Sequence, residues 1–555
     1  MLLQFLISAA SCAVFAGSVL AAAAPSNAPI VEVSNGSYYG KYNSVYNQDI
    51  FLGIPYAQPP VKDLRFAPPK SLNTTWSGLR NATEYGYACV GYGEDTEDAS
   101  KNFTNEDCLT LNIARPAGKS SKPLPVAVWI HGGGWVYGSS AVGLYNTTFL
   151  VERSVQMGEP IIAVSFNYRL AAWGFLYNDQ IAKEGQTNAG LRDQRLALHW
   201  VKENIAAFGG DPEKITIFGE SAGSVSVFNH VLAYNGRDDK LFSGAIGQSG
   251  SIAGLGGQWQ PTTDKVALAT YNITQTVCPD ATDKLACLRK AKFEDLNNAI
   301  NASLSIPVAA SPNIYGPYID GDIVARSMAN QLKDGDYVKI PIIMGTNNDE
   351  SVYFVPPGLN SEADIQQFLL GSFVGLNLTQ ANAIQTGYKY DDPEQCLPGI
   401  HRYQLNSTVG IQLKRAVSIL SDLTFIGPTH YGAQLVSKNN YKPLYVYNFN
   451  ASISVGPNYY GAAHGYELAY TFYNLNGTGW EGDKPPFLGG NPFIGRSKSY
   501  LELADVMSGM WIGFFNHGVP GYKNQPVPKW PAYKGGDGPI MIFDAQPNKL
   551  NTRNL

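Results

Sequence analysis

Five runs that are apolar almost from end to end constrain this chain more than any other feature. They are PVAVWI (125–130), IIAVSF (161–166), KITIFG (214–219), IPIIMG (340–345) and PLYVYNF (443–449). A strand with one wet face alternates polar and apolar residues, so continuous runs of this length suit strands covered on both faces. Helical spacing separates and follows them. AGLRDQRLALHWVKENIAAFGG (189–210) ends in a glycine pair able to cap a helix, and SKSYLELADVMSGMWIGFFNHG (497–518) predicts a longer one stopped at Gly518. Strand, helix and strand in succession predict an α/β fold with a mostly parallel, doubly wound central sheet flanked by helices. The stretches from about 250 to 335 and 355 to 440 read as helical and irregular insertions.

A length of 555 residues ordinarily suggests three or four domains. Here no internal repeat, low-complexity linker or composition break divides the chain, and 44% hydrophobic with 15% charged residues can fill one large core. We expect a single domain over residues 25–555 behind a leader over residues 1–24. The leader is apolar from Leu2 to Leu20 and then reaches small residues, as a secretory signal peptide cleaved near Ala22 to Ala24 does. No Lys or Arg precedes that stretch, and a membrane anchor is the competing reading, although no second apolar run of that length follows. The polar C-terminus, NKLNTRNL, carries neither a lipid-anchor tail nor a retention signal.

Export agrees with eleven N-x-[ST] acceptors, at Asn35, Asn73, Asn81, Asn102, Asn146, Asn272, Asn301, Asn377, Asn406, Asn450 and Asn476. Together these features predict a secreted, extracellular glycoprotein. Of six cysteines, Cys12 belongs to the leader. Cys278 and Cys287 enclose a short loop and form the first expected pair. Cys89 and Cys108 are the next nearest, a closure worth about 3 kcal/mol in the chain-entropy treatment. Cys396 is left over as a buried apolar residue. A net charge of −5 without any Lys/Arg cluster excludes a nucleic-acid partner. Nothing in the sequence specifies an oligomeric state.

Function is carried by KITIFGESAGS (214–224), where a run of β-formers meets a serine set between glycines. SAGSVSVFNHVL can begin a helix, so Gly219-Glu220-Ser221-Ala222-Gly223 falls at a strand-to-helix turn. In that context the small flanking residues permit a strained corner that projects Ser221 Oγ above the sheet. The bland alternative is a glycine-punctuated turn with Ser221 as a cap. A serine needs a base, and an acyl-transfer transition state needs donors for its oxyanion. WIHGGGW supplies donors where the strand at 125–130 runs into glycines. Gly133 N, Gly134 N and Ala222 N form the expected hole, and losing one such donor typically costs roughly 10²–10³ in rate. A phosphate cradle is excluded because no Lys-Ser/Thr follows the glycines.

On such a sheet the chain order is serine, acid, histidine, which removes His131, His199 and His230. His430 sits in a helical pattern, His517 in a last helical turn, and His401 has no distinguishing context. His464, in GAAHGYEL, follows the strand at 443–449 after a short loop, and small neighbours let its ring reach Ser221. The acid belongs just past a strand between them. IPIIMGTNNDESVYF offers Asp349 and Glu350, which spacing alone does not separate. Its task is to fix the imidazole tautomer. No His/Cys cluster suggests a metal, and this chemistry requires no organic cofactor.

FLGIPYAQPPVKDLRFAPP (51–69), EDCLTLNI (106–113), HGGGW (131–135), NYRLAAWGF (167–175), GGDPEKITIFGESAGS (209–224), GTNNDESVYF (345–354) and AAHGYEL (462–468) occur in this order. They resemble the signatures of the type-B carboxylesterase/lipase family within the α/β-hydrolases, over essentially the whole mature chain. The resemblance implies Glu350 rather than Asp349 as the acid, Cys89–Cys108 and Cys278–Cys287 as bridges, and Glu220 as a buried carboxylate close to the triad. Arg65 with Glu106 resembles the family's structural ion pair.

One region departs from it. In family lipases the loop closed by the first bridge forms a mobile lid, and in cholinesterases it carries a choline-binding tryptophan. Residues 90–107 are short, lack Trp, and carry six carboxylates, one Lys and the Asn102 acceptor. That is not an amphipathic flap suited to an oil surface, and Tyr92 and Phe103 are its only aromatics. The expectation is a secreted serine hydrolase of apolar acyl esters, short to medium in chain length, with triglycerides and steryl esters in range. A true triacylglycerol lipase is the alternative. A cholinesterase is a weaker one, and so is a non-catalytic adhesion or binding module on the same fold, since members of that kind lack triad residues. Pocket residues are expected near Trp135, 251–261 and 473–482.

Overall fold

Each apolar run becomes a strand of one eleven-stranded sheet. In the computed structural model these strands are Lys41–Asn43 (β1), Gln48–Pro55 (β2), Thr110–Pro116 (β3), Leu124–Ile130 (β4), Ile162–Phe166 (β5), Gly210–Glu220 (β6), Gly244–Gln248 (β7), Ile342–Asn347 (β8), Leu444–Phe449 (β9), Pro539–Phe543 (β10) and Asn551–Asn554 (β11). The structure describes residues 25, 27–93, 104–118, 120–254, 262–305, 314–373, 375–388, 405–439, 441–480, 483–484, 487–488, 490–521, 529–536, 538–545 and 551–554. The expected leader, Asn102, Cys396, His401 and residues 255–261 lie outside them.

Spatial order is β11-β10-β9-β8-β7-β6-β4-β5-β3-β2-β1. From β10 to β5 every neighbour is parallel. The margins, β10–β11 at one side and β5–β3–β2–β1 at the other, are antiparallel. The α/β-hydrolase fold read from the sequence is therefore present, with antiparallel margins that the apolar runs did not announce. Both faces are covered, as the patterning requires. Along β4, Val126, Val128 and Ile130 enter one core, while Ala127 and Trp129 enter the other.

Four helices bear on the site or its surroundings: Thr147–Gln156 (α1), Ala189–Asn204 (α2), Ala222–Gly236 (α3) and Lys498–His517 (α4). The glycines foreseen as stops act as such. A 3₁₀ turn extends α2 to Gly209 at φ 82°, and α4 ends on Gly518 at φ 68°. Left-handed backbone there suits a residue without a Cβ. Both insertions are helical, with Thr263–Val277, Lys284–Lys290, Phe293–Ser303 and Met328–Asp334 in the first, and Glu362–Ser372, Leu378–Gly387, Leu413–Ser421 and Gly427–Asn439 in the second. The run at 340–345 is offset, and β8 starts at Ile342, because Pro341 has no N–H to give to a ladder.

Cys89–Cys108 and Cys278–Cys287 are bonded. Arg65 clamps Glu106 with two hydrogen bonds of 2.6 and 2.7 Å, and also donates to the carbonyls of Leu288 and Ala291. One guanidinium thus ties the first bridged loop to the segment just after Cys287. Asn35, Asn73, Asn81, Asn146, Asn272, Asn301, Asn377, Asn406, Asn450 and Asn476 all keep some solvent exposure. No described helix is long and apolar enough to cross a membrane.

Candidate active site

β6 ends at Glu220 and α3 begins at Ala222, so Ser221 alone makes the turn. Its backbone lies at φ 57° and ψ −125°. Such a conformation costs a non-glycine residue about 1–3 kcal/mol and persists only when its surroundings over-determine it. They do so here. Ser221 N donates to Gln248 O at 2.9 Å, and Val225 N donates to Ser221 O at 3.1 Å. A Cβ on Gly223 would sit 2.1 Å from Ile130 O, and one on Gly219 would sit 2.7 Å from the same oxygen. The two glycines of the motif therefore let the corner press against the end of β4. Gly223→Ala is expected to cost about 1–3 kcal/mol or more through overpacking, read as a lowered denaturation midpoint. An unchanged midpoint would mean that the corner tolerates a Cβ.

Beyond β4 the chain turns through His131-Gly132-Gly133-Gly134. Gly133 and Gly134 take φ 95° and 60°. A Cβ on Gly132 would lie 3.1 Å from Ser221 Cβ, so this turn runs directly beside the serine. Among the described residues no hydrogen bond uses the N–H groups of Gly133, Gly134 or Ala222. His131 itself is a packing residue. Its ring stacks on Tyr168 at 4.4 Å, and burial pushes its pKa down to about 4.

Glu350 follows β8 and is wholly buried. One of its oxygens accepts from Asn347 N at 2.7 Å, and the other lies 2.5 Å from His464 Nδ1. Asp349 turns elsewhere. Its carboxylate accepts from Ala462 N at 2.8 Å and so holds the backbone of the histidine loop, not the ring. That loop spans residues 450–463 and is longer than the sequence reading expected. Among the described residues His464 Nε2 makes no hydrogen bond, and Glu220 Oε1 lies 3.2 Å from it. The other described histidines stand apart: His199 lies in α2, His230 is bound to Gln194 at 3.0 Å inside α3, His430 lies in the helix Gly427–Asn439, and His517 meets Glu159 at 3.2 Å. Trp135, near which pocket residues are expected, is buried with its indole N–H on Ser226 Oγ.

Sequence reasoning missed three neighbours. Phe425 and Phe354 flank the imidazole at centroid distances of 5.0 and 5.6 Å. Phe425 belongs to a π-helical turn, Asp422–Ile426, an irregularity common at functional sites. The third is Glu467, three residues beyond His464 and fully buried. It accepts from Asn347 Nδ2 at 2.5 Å and from Gln248 Nε2 at 3.2 Å. Since Asn347 N holds Glu350 and Gln248 O holds Ser221 N, Glu467 braces the ends of β7 and β8, to which both groups are tied. The acidic residue inside AAHGYEL, among small and apolar neighbours, was the available signal.

Burial raises Glu467, with the Glu350 charge adding to the effect, to about 7. At His464 burial opposes a charge, but Glu220, Glu350 and Glu467 outweigh it and hold the imidazole above its ordinary pKa.

The chain delivers serine after β6, carboxylate after β8 and imidazole after β9, at the carboxyl ends of parallel strands. That order on a doubly wound sheet defines the α/β-hydrolases. Comparison with known proteins narrows the class. The carboxylesterase family model matches residues 27–555, and the chain belongs to the carboxylesterase family. It is a carboxylic-ester hydrolase. Its relatives include Lipase 2 of Diutina rugosa, 36% identical over 82% of this chain and 85% of that protein. Lipase 2 of Geotrichum candidum is 33% identical over 94% and 92% of the two chains. A secreted triacylglycerol lipase of Gibberella zeae is 34% identical over 80% and 78%.

Proposed function

We propose that Ser221, His464 and Glu350 form the catalytic triad of a secreted ester hydrolase that works through an acyl-enzyme. The observation that carries this reading is the buried Glu350 carboxylate 2.5 Å from His464 Nδ1, beside a strained serine. Glu350 fixes the tautomer that leaves Nε2 as the acceptor, and Nε2 takes the Ser221 proton as Oγ attacks the ester carbonyl. The Ser221–His464 contact closes when substrate is seated, as such contacts do in many substrate-free enzymes. Gly133 N, Gly134 N and Ala222 N receive the oxyanion. His464 then protonates the departing alcohol and activates the water that frees the acid.

Glu220 sits within reach of the same nitrogen and favours the imidazolium. Removing its charge lowers the pKa of the base, so the neutral, active ring prevails at lower pH. Glu220→Gln is expected to move the acidic limb of the kcat/KM profile downward in pH. Glu467→Gln should move it the same way by less, because Glu467 stands behind Glu220 and Glu350 among the groups that raise the ring. A limb that stays put or rises in the Glu220 variant contradicts this electrostatic account.

The substrates are esters of apolar acyl groups, and the name of the Gibberella relative favours acylglycerols within that class. The second reading, a true triacylglycerol lipase, rests on the same name. If it is right, the rate on tributyrin jumps as the ester passes its solubility limit. A smooth saturation curve through that limit assigns the enzyme to dissolved esters. Export with removal of residues 1–24, one domain over 25–555 and glycosylation complete the reading. It is supported by the acceptors' exposure and by the secreted Gibberella relative.

A further inference from the structure

A cleft of about 360 Å³ opens where β1, β2 and β3 meet the start of α1. Its walls include Tyr46, Tyr145 and Phe149, with the polar side chains of Asn112 and Ser165 among its lining. Its volume falls in the range of small-ligand sites, and its surface is more polar than apolar. Nothing in the proposed reaction uses it. At its rim stands Asn146, first residue of the acceptor Asn146-Thr147-Thr148.

Asn146 caps α1 through its oxygen alone. Oδ1 accepts from Thr148 N at 3.1 Å and from Thr148 Oγ1 at 2.7 Å. Among the described residues Nδ2 has no hydrogen-bond partner, and Nδ2 is the atom to which an N-linked sugar is joined. Asn35 differs, since its Nδ2 donates to Thr74 O at 2.9 Å. A pyranose carries C–H faces that suit aromatic rings and hydroxyls that suit amide and hydroxyl partners, which is the mixture this cleft presents. Attachment precedes folding, so the cleft can form around the sugar.

We propose that the core sugars of an N-linked glycan on Asn146 are seated in this cleft as a built-in part of the fold. The inference rests on the secretory reading above. The test uses full-length protein secreted from a glycosylating eukaryotic host, with occupancy read by glycopeptide mass spectrometry. On native protein, endoglycosidase should release the Asn146 glycan roughly tenfold or more slowly than those on the exposed Asn73 and Asn406, since release requires local opening. Denaturation should abolish the difference. Asn146→Asp keeps the capping oxygen and removes the glycan, and should lower Tm by about 2 °C or more, whereas Asn73→Asp should not. Glycans on Asn73 and Asn406 with Asn146 empty overturn the seat alone. So does an Asn146 glycan released as fast as the others with Tm unmoved in Asn146→Asp. Absence of glycan at every acceptor overturns the seat and the secretory reading together.

Discussion

Ser221→Ala is expected to lower kcat on a p-nitrophenyl acyl ester by about 10⁴-fold or more, leaving only what binding and an oxyanion site provide. The corner that holds Ser221 is set by Gly219, Gly223 and the Gln248 carbonyl, none of which the substitution touches. The fold should therefore survive, with an unchanged denaturation profile. An organophosphonate should label the parent protein at Ser221 and leave the alanine variant unlabelled. Normal turnover by Ser221→Ala would remove the proposed mechanism. Failure of the parent to be labelled would point to an inert site.

Nearly as large an effect is expected at Glu350, where Gln should cost about 10⁴-fold in kcat, the scale seen when a triad carboxylate becomes an amide. Glu350 is wholly buried with one oxygen on Asn347 N and the other on His464 Nδ1. An amide nitrogen there would face a ring N–H and leave the imidazole in the wrong tautomer. Asp349→Asn is the matched control, because an amide oxygen can still accept from Ala462 N. Its cost should stay within about tenfold if orienting the loop is its task. Equal losses in the two variants would mean that the neighbouring carboxylates share the role and that the assignment to Glu350 alone is wrong.

The strand at 214–219 and the motif after it were legible in the sequence because both are local. Apolar runs report burial on two faces, and a serine between glycines at a strand end reports a corner. The Asp349/Glu350 ambiguity was also inherent, since adjacent residues share every local signal. The family resemblance implied Glu350, whose carboxylate lies 2.5 Å from His464 Nδ1. The antiparallel margins escaped because QDIFLGIP (β2) mixes glycine and proline into its apolar residues and is bulged against β3. Glu467 escaped for another reason. Its partners Gln248 and Asn347 stand 219 and 120 positions away in the chain.

By itself the sequence determined the layered sheet, the helix stops at Gly209 and Gly518, the sharp turn at Ser221 and the glycine lane beside it. These are consequences of side-chain periodicity and of where a Cβ fits, which act over a few residues. Only the tertiary structure decided that Glu350 faces the imidazole while Asp349 holds the loop, that a third carboxylate braces both strand ends, and that Asn146 borders a cleft. Those outcomes depend on how β7, β8 and β9 stand in register and on which insertions pack above them. Electrostatic and hydrogen-bonding contacts act across space at a few ångströms, without regard to distance along the chain.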